Sequence, residues 1–383
     1  MDKGHYTTMM EALAQVPDPR YKRGVRHSWT LILGLIVAAM VSGHKHGRAI
    51  AQWVQEHSES LTQWLEPPQG GLPSESTLRR AWRDLDIDAL EQRSREYTQG
   101  LGQPVPAAKP LVGQSLDGKQ VRGAGMHGRS IHLLSVARHE AGVVIAQAQV
   151  AAKTNEIGAA PALLAGLDLR GTVTTMDAML TQRGLARQIL AQGGHYLMVV
   201  KDNQPQLHEA IAELFEVNAW MPSEIGTRYW RHPTANKGHG RLESRVLESS
   251  TVLDGWLDWP GVGQVLRRSC ERVIMATGEI EREISYGVTD LSPKLASVAQ
   301  LETYWRGHWG IENKSHHVRD VTLGEDAGQA YTGSTPEAMA ALRNCILGLL
   351  RHKGWKSIAD ALRHYGAYPD RALHLIGALP TRL

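Results

Sequence analysis

The sequence predicts an α/β protein with a mixed sheet, and two observations support that class. Between residues 111 and 215, three β-like segments are followed by a regular alternation of helix and strand. A meander followed by such alternation is typical of a mixed sheet with helices on its faces. The first hundred residues instead carry apolar residues at helical spacing. A helical N-terminal part therefore precedes an α/β core.

The helices of the N-terminal part are predicted from apolar spacing, caps and breaks. The predicted segments are 29–41, 49–57, 59–65, 78–85 and 88–97. The apolar run 31–41 is 11 residues long, whereas a membrane span needs about 20, so we interpret it as a buried core helix. A stretch rich in Gly and Pro, 100–110, places a domain boundary near residue 105.

The α/β core begins after this boundary. Strands are predicted at 111–117, 131–137, 143–150, 172–177 and 195–201, and helices at 155–167, 181–192 and 205–215. A β-rich stretch follows, with strands predicted at 243–248, 262–267, 271–276 and 283–288, and then helices at 299–318, 336–352 and 358–364. The predicted domains are therefore a helical domain (1–105), a first core part (106–217), a β-rich insertion (218–295) and a second core part (296–383).

Composition narrows the classes of function. The 42 Lys and Arg residues exceed the 39 Asp and Glu residues by three, which permits a nucleic-acid partner without requiring one. Cys270 and Cys345 are the chain's two cysteines, which excludes a disulfide scaffold and a four-cysteine zinc site. Low cysteine content suits a reducing compartment, so we expect a cytoplasmic protein.

Asp117 and Asp177 each stand at the end of a predicted strand. Ligands of open sheets gather beyond the strand ends, so these carboxylates lie side by side if the two strands are neighbours. Paired carboxylates repel each other, and all-oxygen ligation suits Mg²⁺ or Mn²⁺. The pattern therefore indicates metal-dependent phosphoryl transfer, although a single Asp at a strand end is more commonly a turn former or a helix cap.

A third acid is needed, and Glu312 is the candidate. On a helix over 299–318, His308, Glu312, His316 and Arg319 share one face, which combines an acid with flanking cations. Such a face suits a metal ion next to a phosphate backbone. Four rival acids lie nearby: Glu302, Asp320, Glu325 and Asp326.

Six motifs in a fixed order resemble one family, the H-repeat-associated (ISAs-group) insertion-sequence transposases. The motifs are Asp117-Gly118-Lys119, Lys153-Thr154-Asn155-Glu156-Ile157, Thr175-Met176-Asp177-Ala178-Met179, Lys201-Asp202-Asn203-Gln204, Lys237-Gly238-His239-Gly240-Arg241-Leu242-Glu243 and His308-Trp309-Gly310-Ile311-Glu312-Asn313. Asp18-Pro19-Arg20 and Leu72-Pro73-Ser74 are similar to the N-terminal domain associated with that family. The resemblance covers residues 17 to 350.

The resemblance implies a DDE transposase with a ribonuclease-H-like core, in which Asp117, Asp177 and Glu312 are the catalytic, metal-binding acids. It implies Mg²⁺ as cofactor, with Mn²⁺ as substitute, and DNA as partner, both at the transposon's terminal inverted repeats and at the target. The related insertion-sequence-four group carries Tyr-x2-Arg-x3-Glu-x6-Lys around its glutamate; here Trp305, His308, Glu312 and Arg319 occupy those positions. Because two DNA ends must meet, we expect a homodimer on DNA, associated with the nucleoid.

Candidate DNA contacts are the polar residues Lys201, Asn203, Lys237, Arg241, His308 and Arg319. Basic groups at Arg20, Lys22, Arg23 and Arg26, at Arg79, Arg80 and Arg83, and at Arg228, Arg231 and Arg245 are further candidates. Trp230, Trp256 and Trp259 are candidates for stacking on an unpaired base. Solvated basic faces and core tryptophans are the competing interpretations.

Two alternative functions remain open at the level of sequence. A metal-dependent endonuclease without strand transfer would use the same three acids. A domesticated, non-transposing DNA-binding protein would bind DNA without cutting it, and three intact acids argue against that alternative. A zinc-binding module is disfavoured because two distant cysteines and an adjacent His pair lack ligand spacing.

Overall fold

A computed structural model describes residues 6–21, 23, 25–101, 111–122, 131–151, 154–220, 228–238, 240–328 and 332–380. The chain divides into two compact units. The first comprises Met1–Pro106, Gly118–Asn155 and Gly310–Leu383, and the second comprises Ala107–Asp117 and Glu156–Trp309. The predicted boundary near residue 105 lies outside the described residues, and the four predicted domains stay a prediction.

Helices dominate the first unit. They are α1 (Met9–Leu13), α2 (Trp29–Val41), α3 (Gly47–Glu56), α4 (Ser58–Leu65), α5 (Glu75–Arg83) and α6 (Ile87–Leu101), followed late in the chain by α11 (Thr335–His352), α12 (Ile358–Ala367) and α13 (Pro369–Ile376). The helix predicted at 29–41 is confirmed at both ends. Ser28 caps it by accepting the Leu31 N–H at 3.2 Å.

Helix α2 lies in the hydrophobic core of this unit because nearly all its side chains are apolar, and 11 of its 13 residues are buried. Within the described residues, no helix is long and apolar enough to cross a membrane. Helix α1 was not predicted from the sequence. Its signal is a capping box, in which the Thr8 hydroxyl accepts the Glu11 N–H and the Glu11 carboxylate accepts the Thr8 N–H.

The first unit also contains an antiparallel pair of strands, β2 (Ile131–Arg138) and β3 (Val144–Val150). They continue the sheet from β1 (Val112–Val121) in the order β3-β2-β1. Strand β1 begins in the second unit, and its last four residues belong to the first. The three-stranded meander predicted for the start of the core is therefore confirmed, with β1 longer than predicted.

The second unit is a mixed sheet flanked by helices. Its strand order is β1-β4-β5-β9-β8-β7-β6, with β4 (Thr172–Met176), β5 (His195–Val200), β6 (Tyr229–Gly238), β7 (Arg241–Ser250), β8 (Gln264–Ile274) and β9 (Ile280–Thr289). Strands β1, β4 and β5 are parallel, and the others join antiparallel. The helices are α7 (Glu156–Ala165), α8 (Arg183–Ala191), α9 (Pro205–Trp220) and α10 (Val298–His308). The predicted α/β class, with a mixed sheet and N-terminal helices, is confirmed.

The β-rich stretch differs from its prediction in two ways. Segments 262–267 and 271–276 form one continuous strand, β8, and strand β6 was missed. Strand β9 pairs with β5 from Leu197↔Thr289 to Val200↔Tyr286, so these four strands extend the core sheet of the second unit. Backbone hydrogen bonding to β5 satisfies an edge that would otherwise be open.

Candidate active site

Asp117 and Asp177 are carried by two neighbouring parallel strands. Asp177 directly follows β4, whereas β1 continues past Asp117 to Val121, so the prediction that Asp117 stands at a strand end is wrong. The pairing of β1 with β4 runs from Val112↔Thr172 to Leu116↔Met176, and each Asp is the next residue of its strand. Paired residues of parallel strands project on the same side of a sheet. The sequence-based expectation that β1 and β4 are neighbours is confirmed, and both acids are half-buried at the same edge.

One carboxylate oxygen of Asp177 accepts a hydrogen bond from the loop after β4. Its Oδ1 accepts the Leu180 N–H at 3.0 Å, so Asp177 also caps the turn that leads to α8. Asp177 therefore acts as a turn former through Oδ1. Its other oxygen, Oδ2, is the one with which it would bind a metal ion. Asp117 also has an interaction within the protein.

The C-terminal end of α10 is bonded to the same face of the sheet. His308 Nδ1 lies 3.1 Å from Thr175 Oγ1, and Ser115 Oγ donates to the His308 carbonyl at 3.1 Å. Ser115 and Thr175 each precede an acid by two residues, so they share its face of the strand. His308 is thus held beside the two acids. Its predicted contact with DNA stays a prediction.

Lys201 and Asn203 follow β5 and border a shallow cleft beside the loop after Asp177. Asn203 Nδ2 donates to the Ala178 carbonyl at 2.6 Å. The Lys201 side chain is exposed at the same cleft. The structure therefore brings both residues next to the loop that follows the second acid.

Glu312 lies in the first unit. The helix predicted over 299–318 is not continuous. Regular α-helix ends at His308, and two π-helical turns follow, Glu312–His316 and Val318–Thr322. The Glu312 carboxylate is about half exposed, and its Oε2 lies 3.1 Å from His316 Nδ1. This hydrogen bond lowers the pKa of Glu312, and burial lowers the pKa of His316. The pair therefore favours an ionised acid beside a neutral imidazole at neutral pH.

Arg319 does not reach the surface. Its side chain is fully buried and forms a bidentate ion pair with Glu325, with N···O distances of 2.7 to 3.0 Å. The prediction that Arg319 contacts a DNA phosphate is therefore wrong for this conformation. The shared helical face assumed an α-helical period, and the π-helical turns change that period.

The rival acids are engaged in internal contacts. Glu302 pairs with Arg268 at 3.0 Å and 3.1 Å, Asp320 with Lys119 at 2.5 Å, and Glu325 with Arg319. Asp326 Oδ1 accepts the Arg122 N–H at 3.4 Å. Their ion pairs and hydrogen bonds explain these acids structurally. Asp117 and Asp177 in the second unit offer carboxylate oxygens, the donor type that Mg²⁺ and Mn²⁺ prefer, and Glu312 offers the same group in the first unit.

The other candidate DNA contacts fall into two groups. Exposed side chains are Arg79 and Arg80 on α5, Arg228 just before β6, Arg231 on β6, Lys237 and Arg241 next to the turn between β6 and β7, and Trp256, which is 85% exposed. Engaged or buried side chains are Arg20 with Asp18, Arg83 with Asp84, Arg245 with Glu243, and Trp259. Trp230 is half-buried, and Lys22 lies outside the described residues.

Comparisons with known proteins identify the family of this chain. The family model described as "Transposase DDE domain" matches residues 102–349, and the model described as "DDE_Tnp_1-associated" matches residues 10–98. The chain is 30% identical over 350 residues to "Putative transposase YncI" of Escherichia coli O157:H7, covering 90% of this chain and 87% of that protein.

A second relative is "H repeat-associated putative transposase YhhI" of Escherichia coli strain K12, 28% identical over 349 residues, covering 89% of this chain and 90% of that protein. Among solved structures, a piggyBac transposase in a synaptic complex with hairpin DNA aligns at a TM-score of 0.42 and 10% identity. That alignment covers 98% of this chain and 82% of the other.

Proposed function

This chain belongs to the DDE transposase family, and from that premise we propose that it cuts the DNA ends of an insertion sequence and joins them to target DNA. The proposed catalytic acids are Asp117, Asp177 and Glu312. The observation that carries the proposal is that Asp117 and Asp177 each directly follow the last paired residues of β1 and β4, Leu116 and Met176. Two like charges so placed repel each other, and a bound cation would relieve that repulsion.

Family membership implies that a divalent metal is used, and we propose Mg²⁺ with Mn²⁺ as substitute. The three acids would hold it, and when bound it would favour phosphoryl transfer by activating the attacking oxygen and stabilising the leaving one. Asp177 contributes while its other oxygen stays bonded to Leu180. Glu312 contributes as a carboxylate because its contact with His316 lowers its pKa.

The length of the connecting chain supports the inclusion of Glu312. His308 is bonded to the strands that carry Asp117 and Asp177, and Glu312 follows it by four residues. Four residues span at most about 14 Å, so Glu312 is tethered to this neighbourhood.

DNA is the partner expected of a transposase, and we propose that Lys201, Asn203, Lys237 and Arg241 contact it. Lys237 and Arg241 are exposed on one hairpin, whereas Arg282 is paired with Glu271 at 2.8 Å. Replacing Lys237 or Arg241 by Ala should weaken DNA binding and lower the salt slope by about one per residue. Arg282→Ala is the matched control, and an unchanged slope in all three variants would count against this surface. A homodimer on paired DNA ends is part of the proposal.

The decisive experiment measures cleavage of DNA that carries the element's ends. Asp117→Asn should reduce the Mg²⁺- or Mn²⁺-dependent rate by at least about 1,000-fold, because an amide cannot replace the charge that binds the metal. Asp258→Asn, at an exposed acid paired with Arg183, is the control. A parental rate in Asp117→Asn would refute the proposal. Cleavage without strand transfer would identify an endonuclease, and binding without cleavage a DNA-binding protein.

A further inference from the structure

The segment that carries Glu312 has an unusual backbone. Two π-helical turns follow one another, and their bonds span five residues, as in Leu323 N–H to the Val318 carbonyl at 3.0 Å. π-helical turns are rare and mostly occur singly, frequently at functional sites. Nothing in the local sequence favours this geometry over an α-helix, so contacts from outside the segment must select it.

Arg319 supplies most of those contacts. Its side chain is fully buried, and besides the two oxygens of Glu325 it reaches Gln147 Oε1 at 3.2 Å and Asn344 Oδ1 at 3.3 Å. Gln147 belongs to β3 and Asn344 to α11. A single planar guanidinium therefore ties the second π-helical turn to a loop, a strand and a helix.

The next residue is held independently. Asp320 Oδ1 accepts from Lys119 Nζ at 2.5 Å, and Lys119, on β1, is buried. Successive residues of a helix project in different directions, so anchoring both fixes the rotation of the turn as well as its position.

The Glu312 side chain is held much less firmly than this backbone. It is about half exposed, and its hydrogen bond is to His316 within the same turn. The direction of its carboxylate therefore follows the backbone. A slip of one residue in a helix turns side chains by about 100° and shifts them by about 1.5 Å, more than the roughly 0.5 Å that a catalytic site tolerates.

We propose that Arg319 is a positioning residue for Glu312: the buried contacts of its guanidinium fix the π-helical segment in the register that presents the carboxylate. The inference rests on the proposed function, in which Glu312 is a catalytic acid. It also gives the cation at this position a role inside the protein, where its side chain is fully buried.

The test uses Arg319→Lys in the full-length protein. Lysine keeps the buried charge, but its single ammonium cannot bond Glu325, Gln147 and Asn344 in one plane. Arg267→Lys is the matched control, since Arg267 bonds Glu248 at 2.6 Å and the Phe215 carbonyl in the second unit. Asn344→Ala removes one partner of Arg319 without touching the ion pair, and it serves if Arg319→Lys fails to fold.

Two measurements separate positioning from simple stabilisation. Hydrogen exchange of residues 312–322 in metal-free protein should accelerate at least about 10-fold in Arg319→Lys and about 2-fold in Asn344→Ala, and stay unchanged in Arg267→Lys. Electron paramagnetic resonance should show that half-saturation needs about 5-fold more Mn²⁺ in Arg319→Lys. Exchange at the parental rate, or faster exchange with parental Mn²⁺ binding, would overturn the proposal.

A Glu312→Gln variant distinguishes this failure from failure of the proposed function. If Glu312→Gln cleaves DNA and binds Mn²⁺ as the parent does, the proposed function is wrong, and the positioning role falls with it. If Glu312→Gln is inactive while Arg319→Lys exchanges and binds Mn²⁺ like the parent, only the positioning role is overturned.

Discussion

The two strand-borne acids and the helix-borne acid are positioned by different physics. Asp117 and Asp177 continue regular strands whose pairing is set by backbone hydrogen bonds, from Val112↔Thr172 to Leu116↔Met176. Glu312 instead depends on a π-helical segment anchored by the buried charge of Arg319 and by the ion pair between half-buried Asp320 and buried Lys119. Strands paired through backbone hydrogen bonds keep their position when a side chain is replaced. A segment held by buried ions instead depends on a few particular side chains.

The largest expected effect is on activity at the strand-borne acids. Asp177→Asn should reduce cleavage at least about 1,000-fold, because the variant lacks the charge that we propose binds the metal. Its free energy of unfolding should change by less than about 1 kcal/mol, because the amide oxygen still accepts the Leu180 N–H. Cleavage rates and urea unfolding check the two parts. A strongly destabilised variant would mean that this strand end also depends on side-chain charge.

A large loss of stability is expected when the π-helical segment that carries Glu312 loses its buried anchor. Arg319→Met leaves the Glu325 carboxylate buried, with Arg343 Nη1 at 3.2 Å as its remaining cation. Breaking a buried pair by removing one partner costs about 3–5 kcal/mol. Urea denaturation measures this change, and a cost below about 1 kcal/mol would remove the contrast between the two regions.

The buried network around Arg319 should also make stability depend on pH. Gln147, which accepts from Arg319, donates to Glu91 Oε1 at 3.3 Å, and burial raises the pKa of Glu91 to about 7. Because the folded-state pKa is raised, the contribution of this group is complete at low pH and is lost as pH rises from about 4.5 to 7.

Glu91→Gln should therefore be more stable than the parent at pH 8, by up to about 3 kcal/mol, and show no advantage near pH 4. Chemical unfolding of both proteins across this range tests the prediction. An advantage that grows toward acid pH would show that the sign is wrong and that Glu91 is ionised in the folded protein.

The smallest effect is expected where α10 meets the strands. Thr175→Val keeps the shape of the side chain but loses its hydrogen bonds to His308 and to the Gln114 carbonyl. We expect about 1–2 kcal/mol of destabilisation, well below the cost of Arg319→Met. Thermal unfolding compares the two variants directly. A larger loss of stability in Thr175→Val than in Arg319→Met would show that the contact between α10 and the strands stabilises the protein more than the Arg319 network does.

The sequence by itself predicted the α/β class, the helix at 29–41 and the adjacency of β1, which contains Asp117, to β4, which Asp177 follows. These features depend on local signals: an apolar stretch preceded by a Ser cap, and short strands bounded by turns. Glu312 was also singled out, through family motifs and helical spacing, but as one acid among several near the same helix.

Only the tertiary structure decided which neighbouring acids and cations are used internally. Arg319 has the sequence context of a phosphate contact, yet it is fully buried against Glu325. The π-helical turns and the extension of the core sheet by β6 to β9 were likewise hidden. The burial of Arg319, the π-helical turns and the extended sheet share one physical reason. Each is selected by partners far away along the chain, such as Gln147, Asn344 and β5, and such contacts leave no local pattern in the sequence.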